Sequence, residues 1–248
     1  KCATRITIRR NSKDAKGFSA NVSFVINEEN SPFKNEPKMT PHTSMDELKE
    51  TLERLNELLH QNEIKTVIDD AIEVDIVEPH DSDAVNLSIV DLPGLIATTT
   101  EGQSKDLVSS IERMVTRCAE DKRTVILAIM EAHRDISNSR ALAMAEKADE
   151  KGERTVGVLT KMDLVEEATE DDVLNVLNNV RKPLYHGYFA VMNRTQKTLN
   201  EGKSLEDARK DEKDWFETNK HYISMDERCG IDNLRRGISK RLLVILSE

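Results

Sequence analysis

The sequence predicts an α/β fold: a doubly wound, mostly parallel sheet with helices on both faces. Three observations predict it. From residue 85 onward, short apolar runs alternate with longer runs at helical spacing, the pattern of strands joined by crossover helices. Polar clusters follow three of the apolar runs directly, at the strand ends where open parallel sheets hold ligands. The 248 residues, 38% apolar and 33% charged, suffice for one large domain with its own core.

Taken in order, residues 4–10 alternate Ile and Thr with polar residues, and 21–26 are also β-prone, so a hairpin with a turn over 11–17 is expected. Residues 27–41 carry Pro32, Pro37 and Pro41 among polar neighbours and read as an exposed loop. Ser44 and Glu47 form a capping box ahead of Leu48, Leu52, Leu55 and Leu59. These predict a helix of about four turns. The alternation then runs strand 85–90, helix 105–119, strand 124–130, helix 138–148, strand 155–159, helix 173–180, strand 187–192 and helix 204–218. Past Cys229 and Gly230, the stripe Ile231, Leu234, Ile238, Leu242 and Ile245 predicts a final helix. The expected domains are 1–230, and 231–248 as the start of a helix leading into a bundle or stalk.

Charge and composition exclude several classes. A net charge of −10, spread along the chain, opposes nucleic acid. The longest apolar run, residues 242–246, is far short of the roughly 18 residues of a membrane span. Cys2, Cys118 and Cys229 are widely spaced thiols, which fits a reducing, cytoplasmic setting. The six histidines hold no pair at metal-ligand spacing.

Three strand ends carry candidate chemistry. Asp91-Leu92-Pro93-Gly94 follows the first of these apolar strands. An Asp there can hold Mg²⁺, and a Gly amide can approach a terminal phosphate because no side chain intervenes; the same residues also make an ordinary Pro-Gly turn. Thr160-Lys161-Met162-Asp163 follows another strand. The Asp163 carboxylate can accept two hydrogen bonds from guanine N1–H and its amino group, donors adenine lacks, while the Lys161 stem covers the base. A surface lysine and an N-cap aspartate are the plain alternative. Asn193-Arg194-Thr195-Gln196-Lys197 follows the last strand, where amides can meet the base from the other side. The order of the three, each behind a strand, is more specific than any one of them.

With these residues, and with Asp135-Ile136-Ser137-Asn138-Ser139 and the run Arg154 through Asp163, the chain resembles the dynamin-like large GTPases over nearly its whole length. The resemblance implies a P-loop GTPase-like G domain that hydrolyses GTP to GDP and phosphate, driving assembly or membrane remodelling in a longer parent. It implies roles for Thr4, Gly94 and Asp135 in catalysis: Thr4 as the switch threonine on Mg²⁺, Asp135 as an aspartate reaching across a dimer. Thr4 and Asp91 would hold the metal. Asp91, Gly94, Thr160, Lys161, Asp163, Asn193, Arg194 and Gln196 would bind the nucleotide. A monovalent cation, Na⁺ or K⁺, is implied beside Mg²⁺. Self-association through the nucleotide face, a cytoplasmic location with peripheral attachment to membranes, and membrane or cytoskeletal targets bound only through regions outside these residues are implied as well. In one respect the chain departs from classical dynamins, which carry a Lys shortly after DLPG where Leu95, Ile96 and Ala97 stand here.

No GxxxxGK[ST] occurs in the sequence, and Lys16 within Asp14-Ala15-Lys16-Gly17 lacks the glycine-rich setting. The resemblance places that loop upstream of Thr4. The expectation is therefore an N-terminally incomplete G domain whose central P-loop strand is missing, neither active nor stably monomeric by itself. Two alternatives stand beside it: a degenerate, nucleotide-independent interaction module, and an adenine-using enzyme, which Asp163 opposes.

Overall fold

The computed structural model describes residues 2–10, 17–27, 29, 31–61, 68, 70–78, 86–96 and 106–247. The chain divides into two compact units, Lys1–Cys118 and Ala119–Glu248. The α/β class holds, with its strands shared between a five-stranded and a three-stranded sheet.

The first unit contains β1 (Ala3–Arg10), β2 (Ser19–Val25), β3 (Met39–His42), α1 (Met45–Gln61), β4 (Ala71–Glu78), β5 (Leu87–Asp91) and most of α2 (Leu107–Ala119). Its strand order is β3-β2-β4-β1-β5. The expected hairpin does not form, because β4 lies between β1 and β2. It pairs parallel with β1 from Ala3↔Ala71 to Arg10↔Glu78 and antiparallel with β2. The reason is the period-2 pattern of β4: Ile72, Val74 and Ile76 are buried with Ala20, Val22, Phe33, Leu48 and Leu55. Its alternate acids face the arginines of β1, Arg5 with Glu73 at 3.0 Å and Arg9 with Asp75 at 3.2 Å. Exposed pairs of this kind add little stability, but like charges in a slipped register would oppose it. Strand β3 begins inside the segment expected to be loop and ends one residue past it. The N-cap bond forms as read, the Glu47 amide donating to Ser44 Oγ at 3.2 Å, but the Glu47 carboxylate in return accepts from the amide of Thr43, one residue ahead of the cap, at 2.9 Å.

The second unit holds β6 (Ile126–Glu131), α3 (Arg140–Ala148), β7 (Thr155–Thr160), α4 (Glu170–Leu177), β8 (Tyr188–Ala190), α5 (Gln196–Asn200), α6 (Leu205–Thr218) and α7 (Ile231–Ser247). Its sheet, β6-β7-β8, is wholly parallel. Helices cover both faces. On one, Leu142 of α3, Val176 of α4 and Phe216 of α6 pack with Leu159 and Tyr188; on the other, Leu234 of α7 packs with Val156, Val158 and Val191. Burial on both sides explains why β7 reads as an unbroken apolar run. Gly157 is required there, since a Cβ would lie 2.1 Å from the ring of its register partner Tyr188.

Helix α7 is docked on this unit: a Cβ at Gly237 would meet the Phe189 ring at 2.4 Å. Each sheet ends on an edge strand with exposed apolar side chains, Ile89 (43%) and Val90 (37%) in β5, Leu127 (38%) and Ile129 (58%) in β6. Among the described residues no helix is long and apolar enough to cross a membrane. The starts expected at Val85 and Lys105, Ala97 behind DLPG, and Lys16 lie outside the described residues.

Candidate functional site

The sequence motifs fall into two groups, one in each unit. In the first unit, Thr4 and Asp91 are register partners across the antiparallel β1–β5 pair. Directly opposed residues point to one face with Cβ atoms about 5 Å apart. A hydroxyl and a carboxylate so placed fit Mg²⁺, a hard cation that takes one or two protein oxygens and completes its shell with water and phosphate. Asp91 is exposed and Thr4 half-buried. Gly94 is exposed, and its absent Cβ would find nothing within 4 Å. Among the described residues, packing therefore leaves space on that side of the Gly94 backbone.

In the second unit, β7 and β8 are neighbours with Leu159 opposite Ala190, so the loops leaving them start side by side. Thr160 donates through Oγ1 to the Met130 carbonyl at 2.9 Å, which fixes the end of β7 to β6. Lys161 follows in the left-handed region, φ 57° and ψ 44°. Non-glycine residues adopt this conformation rarely and at a cost, often where a loop is shaped for function. It turns the chain into a 3₁₀ turn whose Met162 is buried in the core, so that Lys161 and Asp163 remain outside. Lys161 Nζ pairs with the Glu131 carboxylate. That hydrogen bond, helped by Arg134, holds the Glu131 carboxyl below its ordinary range. Asp163 is exposed, and among the described residues nothing in the chain engages its carboxylate.

After β8, the Val191 amide makes the last bond to the sheet, to Leu159 at 2.8 Å. Asn193 is exposed. Arg194 and Gln196 are turned to partners in the chain: Arg194 Nη1 donates to the Lys203 carbonyl at 2.8 Å, and Gln196 Nε2 to Asn200 Oδ1 at 3.0 Å within α5. Arg194 thus ties down the loop, and Gln196 lies on the exposed side of a short helix capped by Thr195.

Asp135 stands past the end of β6 and caps a 3₁₀ turn, accepting from the Ser137 amide at 2.9 Å. Arg181 also donates to it at 2.7 Å, to Ser137 Oγ at 3.0 Å, and pairs with Asp172 at 3.3 Å. The amide bond first, and then the Arg181 charge, hold the Asp135 carboxyl below its usual range. Beside it is a cavity of about 160 Å³ lined by His133, Arg134, Asp135, Asp172 and Arg181. Sequence reasoning missed Glu131 and Arg181, the partners of Lys161 and Asp135. Glu131 closes an apolar strand and was legible as a polar strand end; Arg181 lies far away in sequence and carries no motif. Among the described residues, no three His, Cys, Asp or Glu side chains form a metal-binding group.

Residues 2–162 match the dynamin family and residues 172–248 the dynamin central region. Dynamin-related protein 5A of Glycine max is 35% identical over 164 residues, 66% of this chain and 27% of that protein. Drosophila melanogaster dynamin is 34% identical over 171 residues, 69% of this chain and 19% of its own length. The Danio rerio dynamin-1-like protein is 33% identical over 202 residues, 82% and 28% of the two chains. The chain thus spans about a quarter of the length of the curated relatives it matches.

Proposed function

This chain belongs to the dynamin family, and on that basis we propose that it forms most of the guanine-nucleotide site of a GTPase that hydrolyses GTP to GDP and phosphate. The observation that carries the reading is Asp163, an exposed carboxylate that nothing engages among the described residues, held just beyond a parallel strand and beside the loop that leaves the next one. Asp163 selects guanine, Lys161 leaves Glu131 to lie along the base, and Asn193, Arg194 and Gln196 close the base and ribose side. Thr4 and Asp91 would hold Mg²⁺, which neutralises charge on the phosphates when bound. Gly94 leaves its amide free for the terminal phosphate.

The phosphate cradle is supplied by sequence outside these residues, a reading supported by the missing GxxxxGK[ST]. In the parent, Asp135 reaches a second copy across the nucleotide face, and a monovalent cation accompanies Mg²⁺. The parent acts in the cytoplasm and at membrane surfaces, in assembly or membrane remodelling, and meets membrane or cytoskeletal targets through regions outside these residues. The extent of the family match favours this reading over a degenerate interaction module.

Competition binding with the full-length protein tests it. GTP displaces a labelled guanine nucleotide far better than ATP, because the wrong base leaves polar groups of the site unpaired. Asp163→Asn weakens guanine binding and improves binding of xanthine nucleotides. Equal affinity for ATP and GTP would sink the assignment.

A further inference from the structure

Helix α6 is charged along most of its length, yet Glu212 within it is 3% exposed. A buried carboxylate is costly unless hydrogen bonds compensate it. Two amides do so. Met192 donates to Oε1 at 2.7 Å, and Ile231 donates to Oε2 at 2.9 Å. Burial pushes the Glu212 carboxyl up, and the two amide bonds pull it back.

The positions of those amides matter more than their number. The sheet bonds of β8 end at the Val191 amide, so Met192 is the first residue of the outgoing loop, and Glu212 fixes the direction in which Asn193 leaves. Ile231 is the first residue of α7, where a negative charge is favoured by the helix dipole. Gly230 also donates to the Ala190 carbonyl at 2.8 Å, so the loop and the helix begin at one point on the sheet. A second tie runs in parallel. Arg194 holds the Lys203 carbonyl, and the Lys203 ammonium pairs with Asp211, the neighbour of Glu212.

We propose that Glu212 is a positioning residue that couples the Asn193–Gln196 loop to α7, so that filling the base site tightens the first turn of that helix. The proposal rests on the guanine reading of this loop. Loop and helix share one carboxylate: a displacement of Met192 is felt at Ile231 without any contact between nucleotide and α7. Glu212→Gln keeps the volume but replaces one acceptor oxygen with an NH₂ group, which leaves one of the two amides without its partner.

The test uses the full-length protein with GDP as the probe, read by nucleotide affinity and by amide hydrogen exchange. In the unmodified protein GDP slows exchange both at residues 192–194 and at residues 231–234. In Glu212→Gln the GDP affinity falls about tenfold, equivalent to about 1.4 kcal/mol, and the slowing at 231–234 is lost while that at 192–194 is kept. Protection by GDP confined to 192–194 in the unmodified protein overturns the coupling, whether or not the variant folds. So does a folded Glu212→Gln variant with unchanged affinity and unchanged protection of α7. Failure of GDP to bind the unmodified protein at all removes the guanine reading and the coupling together, and is recognised by that.

Discussion

In the second unit one side chain ties several segments together. Arg154 donates to four carbonyls, those of Ala119 and Ala148 at 2.7 Å, Thr124 at 3.0 Å and Asp121 at 3.2 Å. A lysine cannot reproduce that planar fork. Arg154→Lys is expected to lower unfolding stability by about 2–3 kcal/mol, the scale of charged hydrogen bonds lost from a partly buried site; an unchanged denaturant midpoint would show the carbonyls to be satisfied otherwise. His186 gives a pH dependence. Its Nε2 donates to the Glu153 carbonyl at 2.5 Å, its Nδ1 is buried without a partner among the described residues, and burial, with the Arg241 charge, holds its pKa below the ordinary histidine value. Below about pH 6.5 the unfolded chain therefore binds the proton more readily than the folded one. Its contribution is full above that pH and lost as the pH falls, and His186→Gln is expected to flatten this part of a stability-against-pH curve. The positions of Asp91, Asp163 and Asn193 at or just behind strand ends were legible, because turn and polar residues after an apolar run mark where a strand stops. The long-range partners of Lys161, Asp135 and Met192 were not, since a pairing across 20 to 46 residues leaves no local pattern.

Element type was legible wherever one period dominated over many residues. Helix α1 followed from its leucine stripe and capping box, and the parallel strands of the second unit from their apolar runs. Strand β4 was missed because its alternate residues are acidic, though its period of two was present in Ile72, Val74 and Ile76. The short helix α5 was also unforeseen, since its five residues are too few to show a helical period. Close packing between elements yields a ranked prediction. Gly157→Ala places a methyl group inside the Tyr188 ring position, between strands buried on both faces, and is expected to cost about 3 kcal/mol. Gly237→Ala meets the half-buried Phe189 ring instead, which can yield, and the gain in helix propensity of about 1 kcal/mol offsets part of the strain. Thermal midpoints in that order support the packing described for α7; the reverse order would place α7 elsewhere.

At the scale of the whole molecule, the strands lie in a five-stranded and a three-stranded sheet, each with apolar side chains exposed on an edge strand among the described residues. Such edges template pairing with other chains. Expressed as these 248 residues, the protein is expected to self-associate, and Ile129→Lys on the edge of β6 to raise the monomer fraction in light scattering without altering secondary structure; a monodisperse, cooperatively melting unmodified chain would contradict this. The topology was hidden in the sequence because strand order depends on partners far apart in the chain. That distance also sets a timetable. Strand β1 lies between β4 and β5, and its Ala3 meets Ala71. A ribosome adding about 5–20 residues per second emits β1 roughly 3–14 s before the strand that pairs with it. Through that interval the β-prone segment has no native neighbour, so nascent-chain chaperones have a window in which to hold it, and slowing translation before residue 71 widens the opening for misassembly.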